Sequence, residues 1–277
     1  MHHKISAIVL NYKHPEDTID CISTLLKSDA GQEVDYYIVD NSAEEKFEKE
    51  FKRTFPKVNY LSSPSNTGFA GGNNRAIKKI LLSDSRYILI INPDVRVGKR
   101  FFKPLVSDLA DDKKAGIVAP TIRHEQNGIV FLGLQGTVDW KTGKANHLNL
   151  RKQPVNKVVT GAEFVTFACV LIKADVFRKV GLLDERYFMY LEDVDYCLQA
   201  TKAGFNILLD HNVVVDHQTS SSFRKPTDKL LISFRSQLTF INKWLTFPKN
   251  ILPTIYTLFF YPYLYLLWTY HFYKKKC

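Results

Sequence analysis

The chain has few cysteines, methionines and tryptophans. Cys21, Cys169, Cys197 and Cys277 stand far apart, alongside two methionines and three tryptophans in 277 residues. Thiols scattered this way form neither a disulfide framework nor a cysteine-based zinc site. No apolar leader precedes the first candidate strand, so a reducing, cytosolic side is expected. Repeats and low-complexity runs are absent too, which excludes solenoid and disordered classes. Acid is scarce at one end. From Gln218 onward Asp228 stands against nine basic residues, Arg224, Lys225, Lys229, Arg235, Lys243, Lys249, Lys274, Lys275 and Lys276, so nine minus one leaves +8 of the formal +10 there.

Within that basic tail, residues 251–273 contain no Lys, Arg, Asp or Glu. The 23 residues reach the length needed to span a bilayer. Pro253, Pro262 and six tyrosines argue instead for interfacial or re-entrant placement, because tyrosine and tryptophan prefer the headgroup zone. Lysines on both sides of the stretch put both ends on the cytoplasmic face. An apolar run flanked by base suits a membrane surface better than nucleic acid. The competing reading is a C-terminal helix packed on the domain.

What is present is an α/β pattern. With 45% hydrophobic residues, the chain can form one large α/β domain or two small ones. Residues 88–91 read as a strand buried on both faces, and Asn92-Pro93-Asp94 ends it. Proline stops the ladder and leaves Asp94 at the strand's carboxyl end, where open α/β sheets bind ligands. Taken alone, the triplet is equally a turn. Further strands are expected at 5–10, 34–39, 58–61, 116–119, 129–138, 158–172 and 213–215. Helices are expected after Pro15, through Lys52, at 70–82 and at 192–203. Strands alternating with helices at this spacing predict a mostly parallel sheet with flanking helices.

Four predicted element ends carry polar groups to the same edge: Asp40, Asp94, the Glu192-Asp193 pair and His217. Each has an ordinary reading of its own. Asp40 could cap a helix, the acid pair could favour a helix dipole, and His217 could sit in a turn. Asp195 is as readily a surface acid as a functional one, and Lys13 and Arg75 are left unassigned.

The motifs in order carry more than any one of them. Ile-Val-Leu-Asn-Tyr at 8–12, Val-Asp-Asn at 39–41, the glycine- and asparagine-rich 66–74, Asn-Pro-Asp at 92–94 and the 188–195 segment around Glu192-Asp193 resemble the motif series of family 2 glycosyltransferases, in particular the bacterial rhamnosyltransferase-like enzymes. The resemblance implies a GT-A fold over 1–222, with a nucleotide-sugar-binding half (1–100) and an acceptor-binding half (101–222). Residues 223–277 are then a basic, aromatic, helical membrane-associating region. It also implies inverting transfer from a nucleotide-diphosphate sugar, such as dTDP-rhamnose, to a saccharide acceptor, and the basic, aromatic tail points to a lipid-linked saccharide at the cytoplasmic face of the membrane.

Site roles follow from the same likeness. Asp94 resembles the metal-binding acid and His217 a late histidine of the metal or phosphate site, so Mg2+ or Mn2+ is expected. Asp193 resembles the general base that takes the acceptor's proton. Glu192 is expected in acceptor binding, because adjacent helix positions diverge by about 100°. Asn11, Asp40, Gly68, Asn74 and Asn92 are expected around the donor. Two rival functions stay open here: a nucleotidyltransferase, which also sets metal-binding acids at strand ends, and a non-catalytic protein that binds sugar nucleotides or nucleic acid.

Overall fold

A computed structural model describes residues 4–42, 44–126, 128–150, 158–218 and 226–274. The first half alternates β1 (Ile5–Asn11), α1 (Pro15–Leu26), β2 (Asp35–Asp40), α2 (Glu45–Thr54), β3 (Asn59–Ser62), α3 (Gly68–Ile80) and β4 (Tyr87–Ile91). After β5 (Val95–Arg96) and α4 (Phe102–Asp111) come β6 (Ala115–Gln126), β7 (Ile129–Asp139), β8 (Lys144–Leu150), β9 (Val158–Thr160), β10 (Cys169–Lys173), α5 (Ala174–Val180), α6 (Glu192–Lys202) and β11 (Asn206–His217). Helices α7 (Pro226–Trp244) and α8 (Ile251–Lys274) close the chain.

The main path of the sheet runs β3-β2-β1-β4-β10-β6-β11-β5. Strands β3, β2, β1 and β4 are parallel, as the alternation dictates. Beyond them the sheet is mixed: β10 enters antiparallel between β4 and β6, while β11 runs parallel to β6. Burial on both faces explains the apolar runs. In β4, Ile88 and Ile90 join the cluster on one side of the sheet, and Tyr87, Leu89 and Ile91 join the other. Burying each such isoleucine or leucine contributes about 1.5–3 kcal/mol.

Residue 100 does not divide the sheet, because β5 pairs with β11 at the far edge. The 222/223 boundary lies outside the described residues, as do Arg224, Lys225, Lys275 and Lys276, but α7 belongs with the domain rather than the tail. Phe240 and Ile241 of α7 are fully buried, and its Gln237 side chain donates 2.6 Å to the Gly143 carbonyl.

Residues 251–274 form one continuous helix. Pro253 falls in its first turn, and Pro262 sits inside without interrupting it. Among the described residues this is the one helix long and apolar enough to cross a membrane, and it is 11% buried over its apolar window. Leu252, Phe259, Tyr263 and Leu266 stand open on it. On its packed side, Lys144 lies 3.6 Å from the Phe260 ring centre and Ser233 of α7 meets Tyr261 at 3.0 Å.

Candidate active site

A cavity of about 1440 Å³ opens at the carboxyl ends of β1 and β4. It is walled by the ends of β2 and β11, the loop before α3, the 188–194 segment, β8 and the start of α7. Its size exceeds the range usual for one small ligand, about 300–1,000 Å³, and suits two substrates together.

Asp94 and His217 meet on its floor, 123 positions apart in sequence, with Oδ1 and Nε2 3.1 Å from each other. The two-residue strand β5 brings them together. Val95 pairs with His217, and the Gln218 amide donates 2.9 Å to the Asp94 carbonyl. Their side chains are 10% and 20% exposed, and both line the cavity. Two cis ligands of an octahedral cation with bonds near 2.1 Å lie about 3.0 Å apart, so the pair fits a divalent metal. Among the described residues no third His, Cys, Asp or Glu joins them, which leaves the remaining positions to water and phosphate oxygens.

The acid pair stands on the first turn of α6. Tyr190 and Leu191 just before it both adopt left-handed backbone, with φ of 72° and 68°. Two consecutive side-chain-bearing residues in this region are strained, at about 1–3 kcal/mol each, and such strain clusters at functional sites. The turn sends Glu192 and Asp193 into the same cavity, although ideal helix geometry would separate them. Glu192 is 6% exposed, and its Oε2 is buried with no hydrogen-bond partner among the described residues.

Burial, reinforced by the charges of Asp193 and Asp195, pushes the Glu192 carboxyl well above the usual range. Asp193 is pushed up more modestly by burial, and the His147 imidazole works against that rise. Asp193 Oδ1 also accepts 2.8 Å from the Val194 amide, which favours its charged form. Both carboxyls are thus raised, Glu192 the further, so Glu192 is the one of the two that holds a proton more firmly.

Gly68 and Asn92 line the cavity. The close approach that Gly68 permits is to protein rather than ligand: at φ 74°, an added Cβ would lie 2.1 Å from the Phe188 carbonyl oxygen, and the Phe69 amide donates 2.7 Å to that oxygen. Asn11, Asp40 and Asn74 lie behind the wall, against expectation. Asp40 is fully buried and accepts from Asn11 at 2.9 Å, the Ser42 amide at 2.9 Å and the Tyr60 hydroxyl at 2.8 Å. Asn74 clasps Leu183 through both its amide groups and donates to Glu185. Their polar atoms fix the strand end and the α3–loop junction, so in this structure they brace the site from outside it.

Of the two readings of Asp195, the surface one does not hold. The residue is fully buried, not a surface acid, and accepts from Trp244 Nε1 at 2.7 Å, Lys243 Nζ at 2.8 Å and Gln199 Nε2 at 2.8 Å. Arg75 is exposed, and Lys13 at φ 63° lies over the Tyr12 ring at the cavity entrance. His147 and Lys229, unmarked in sequence, reach the cavity from β8 and α7. No local signal marks either, because each arrives through long-range packing.

A mixed α/β sheet with these loaded strand ends is the GT-A architecture. The solved structure of GalNAc-T7 with UDP, GalNAc and Mn2+ superimposes with a TM-score of 0.67 at 14% identity, covering 87% of this chain and 48% of that one, so this chain spans about half its length. The family model for "Glycosyltransferase like family 2" matches residues 2–231, and the chain belongs to that family and is a glycosyltransferase. The low-salt glycan biosynthesis hexosyltransferase Agl10 of Haloferax volcanii is 27% identical over 268 residues, 89% of this chain and 78% of that protein. An N-acetylglucosaminyl-diphospho-decaprenol L-rhamnosyltransferase of Mycobacterium tuberculosis is 24% identical over 235 residues, 75% and 74% respectively. Family membership displaces the nucleotidyltransferase and non-catalytic readings.

Proposed function

We propose that the protein transfers a sugar, with inversion, from a nucleotide-diphosphate donor to a lipid-linked saccharide, with dTDP-rhamnose as the donor. The observation that carries this reading is the convergence in one cavity of the Asp94–His217 pair and the Glu192–Asp193 turn. Asp94 and His217 would hold a divalent cation, Mg2+ or Mn2+, whose Lewis acidity stabilises the departing diphosphate. Asp193 takes the proton from the acceptor hydroxyl as that oxygen bonds to the anomeric carbon and the carbon–diphosphate bond breaks. Neutral Glu192, its Oε2 unpartnered, donates a hydrogen bond to the acceptor.

The lipid-linked acceptor is supported by helix α8, which packs on α7 through Ser233 and Tyr261 and leaves an open apolar face suited to a membrane surface. The lysines flanking that helix support placement at the cytoplasmic face. The activity named for the mycobacterial relative, rhamnosyl transfer to a diphospho-decaprenol, supports both the sugar and the diphospho-lipid. A donor screen with purified protein and Mg2+ or Mn2+, detecting released nucleoside diphosphate, tests the reading. Release from dTDP-rhamnose that depends on acceptor and metal is expected. Release from another donor alone would overturn the choice of sugar.

A further inference from the structure

We infer that α7 is a brace for the catalytic turn, with Ser236, Lys243 and Trp244 as positioning residues for Asp193. The inference rests on the reading of Asp193 as the base. Lys229, Ser236 and Lys243 are spaced by seven and so lie along one face of the helix. One meets the strained pair itself and the other two meet residues just before and after it. Lys229 lies over the Tyr190 ring at 5.7 Å, Ser236 Oγ donates 2.8 Å to the Met189 carbonyl, and Lys243 pairs with Asp195. Trp244 adds the indole N–H to the same carboxylate, and Lys243 also bonds Asp184 at 2.8 Å.

Asp195 is two residues from Asp193 on the same helical turn, so fixing Asp195 fixes the start of α6. A left-handed pair such as Tyr190-Leu191 persists only where its surroundings over-determine it, and α7 supplies those surroundings from one side. The buried Asp195–Lys243 pair is a demanding contact: removing one partner alone leaves the other charge uncompensated. The helix that leads into the membrane segment is thus part of the active site's support.

The test uses the full chain. Trp244→Phe keeps the ring packed near Phe240 and removes a single donor, while Lys243→Met breaks the ion pair. Turnover of dTDP-rhamnose, followed by release of dTDP, should show kcat falling about 10- to 100-fold with donor KM little changed, because a misplaced base costs rate rather than binding. Hydrogen exchange at the amides of 190–195 should speed up in both variants. Adding Asp195→Asn to Lys243→Met should recover part of the lost kcat, since no buried carboxylate is then left alone. Unchanged kcat with unchanged exchange at 190–195, or a double variant no better than Lys243→Met, overturns the brace. Asp193→Asn separates the two readings: full activity there removes the base, and the exchange data then decide the brace alone.

Discussion

Replacing Glu192 with glutamine should make the protein more stable at neutral pH, although the residue is buried in the active site. Burial and the adjacent Asp193 raise the Glu192 carboxyl in the folded state. In the unfolded chain it titrates near about 4.3. Below that pH both states hold the proton, and the group contributes nothing to the pH dependence. As pH rises further, the unfolded chain releases its proton while the folded protein keeps it. Wild-type stability therefore falls by about 1.4 kcal/mol for each pH unit until the folded-state carboxyl itself ionises. Glutamine does not titrate, so Glu192→Gln escapes that loss.

Urea denaturation of the two proteins from pH 4 to pH 8 should show a stability gap in the variant's favour that opens above about pH 4.3 and widens until the folded-state carboxyl ionises. Turnover should survive better than in Asp193→Asn, because glutamine reproduces a neutral side chain able to donate a hydrogen bond. A gap independent of pH, or one that closes as pH rises, would refute the assignment of a protonated Glu192.

Three further outcomes follow from the same geometry. Asp94→Asn should cut metal-dependent turnover by at least about 100-fold, since Lewis-acid stabilisation of a leaving group is worth several kcal/mol; titration with Mn2+ read by activity checks it. Gly68→Ala should destabilise the fold by at least about 1–3 kcal/mol and disorder the approach to Phe188, measurable by thermal denaturation, because φ is 74° and the new Cβ would strike the Phe188 oxygen. A chain ending at Asn250 should remain folded and lose sedimentation with anionic vesicles, since it keeps α7 and sheds the exposed face of α8. Cutting near Lys243 instead would remove Trp244 and disturb the site.

The parallel half of the sheet was legible because strands buried on both faces make continuous apolar runs, and the expected 88–91 run lies within β4 (Tyr87–Ile91). Asp94 at its end was legible for the same reason. What lies beyond depends on contacts between distant segments. Strand β5 has two residues and so no periodicity to read, yet it brings Asp94 to His217. The antiparallel insertion of β10 is a matter of topology rather than of its own apolar pattern. Asp40 and Asn74 occur in recognisable motifs, but their burial behind the wall appears only once Tyr60 and Leu183 are in place. An acid such as Asp195 reads as solvated until the packing of α7 supplies Lys243 and Trp244. Nothing local marks Tyr190 and Leu191 as left-handed, because neither is glycine or asparagine.

The most direct measurement is transfer by Asp193→Asn, with donor binding followed on the same preparation. Loss of a general base should lower turnover by about 10²- to 10⁴-fold while the nucleotide sugar binds as before. Near-normal transfer by that variant would contradict the proposed chemistry of the site.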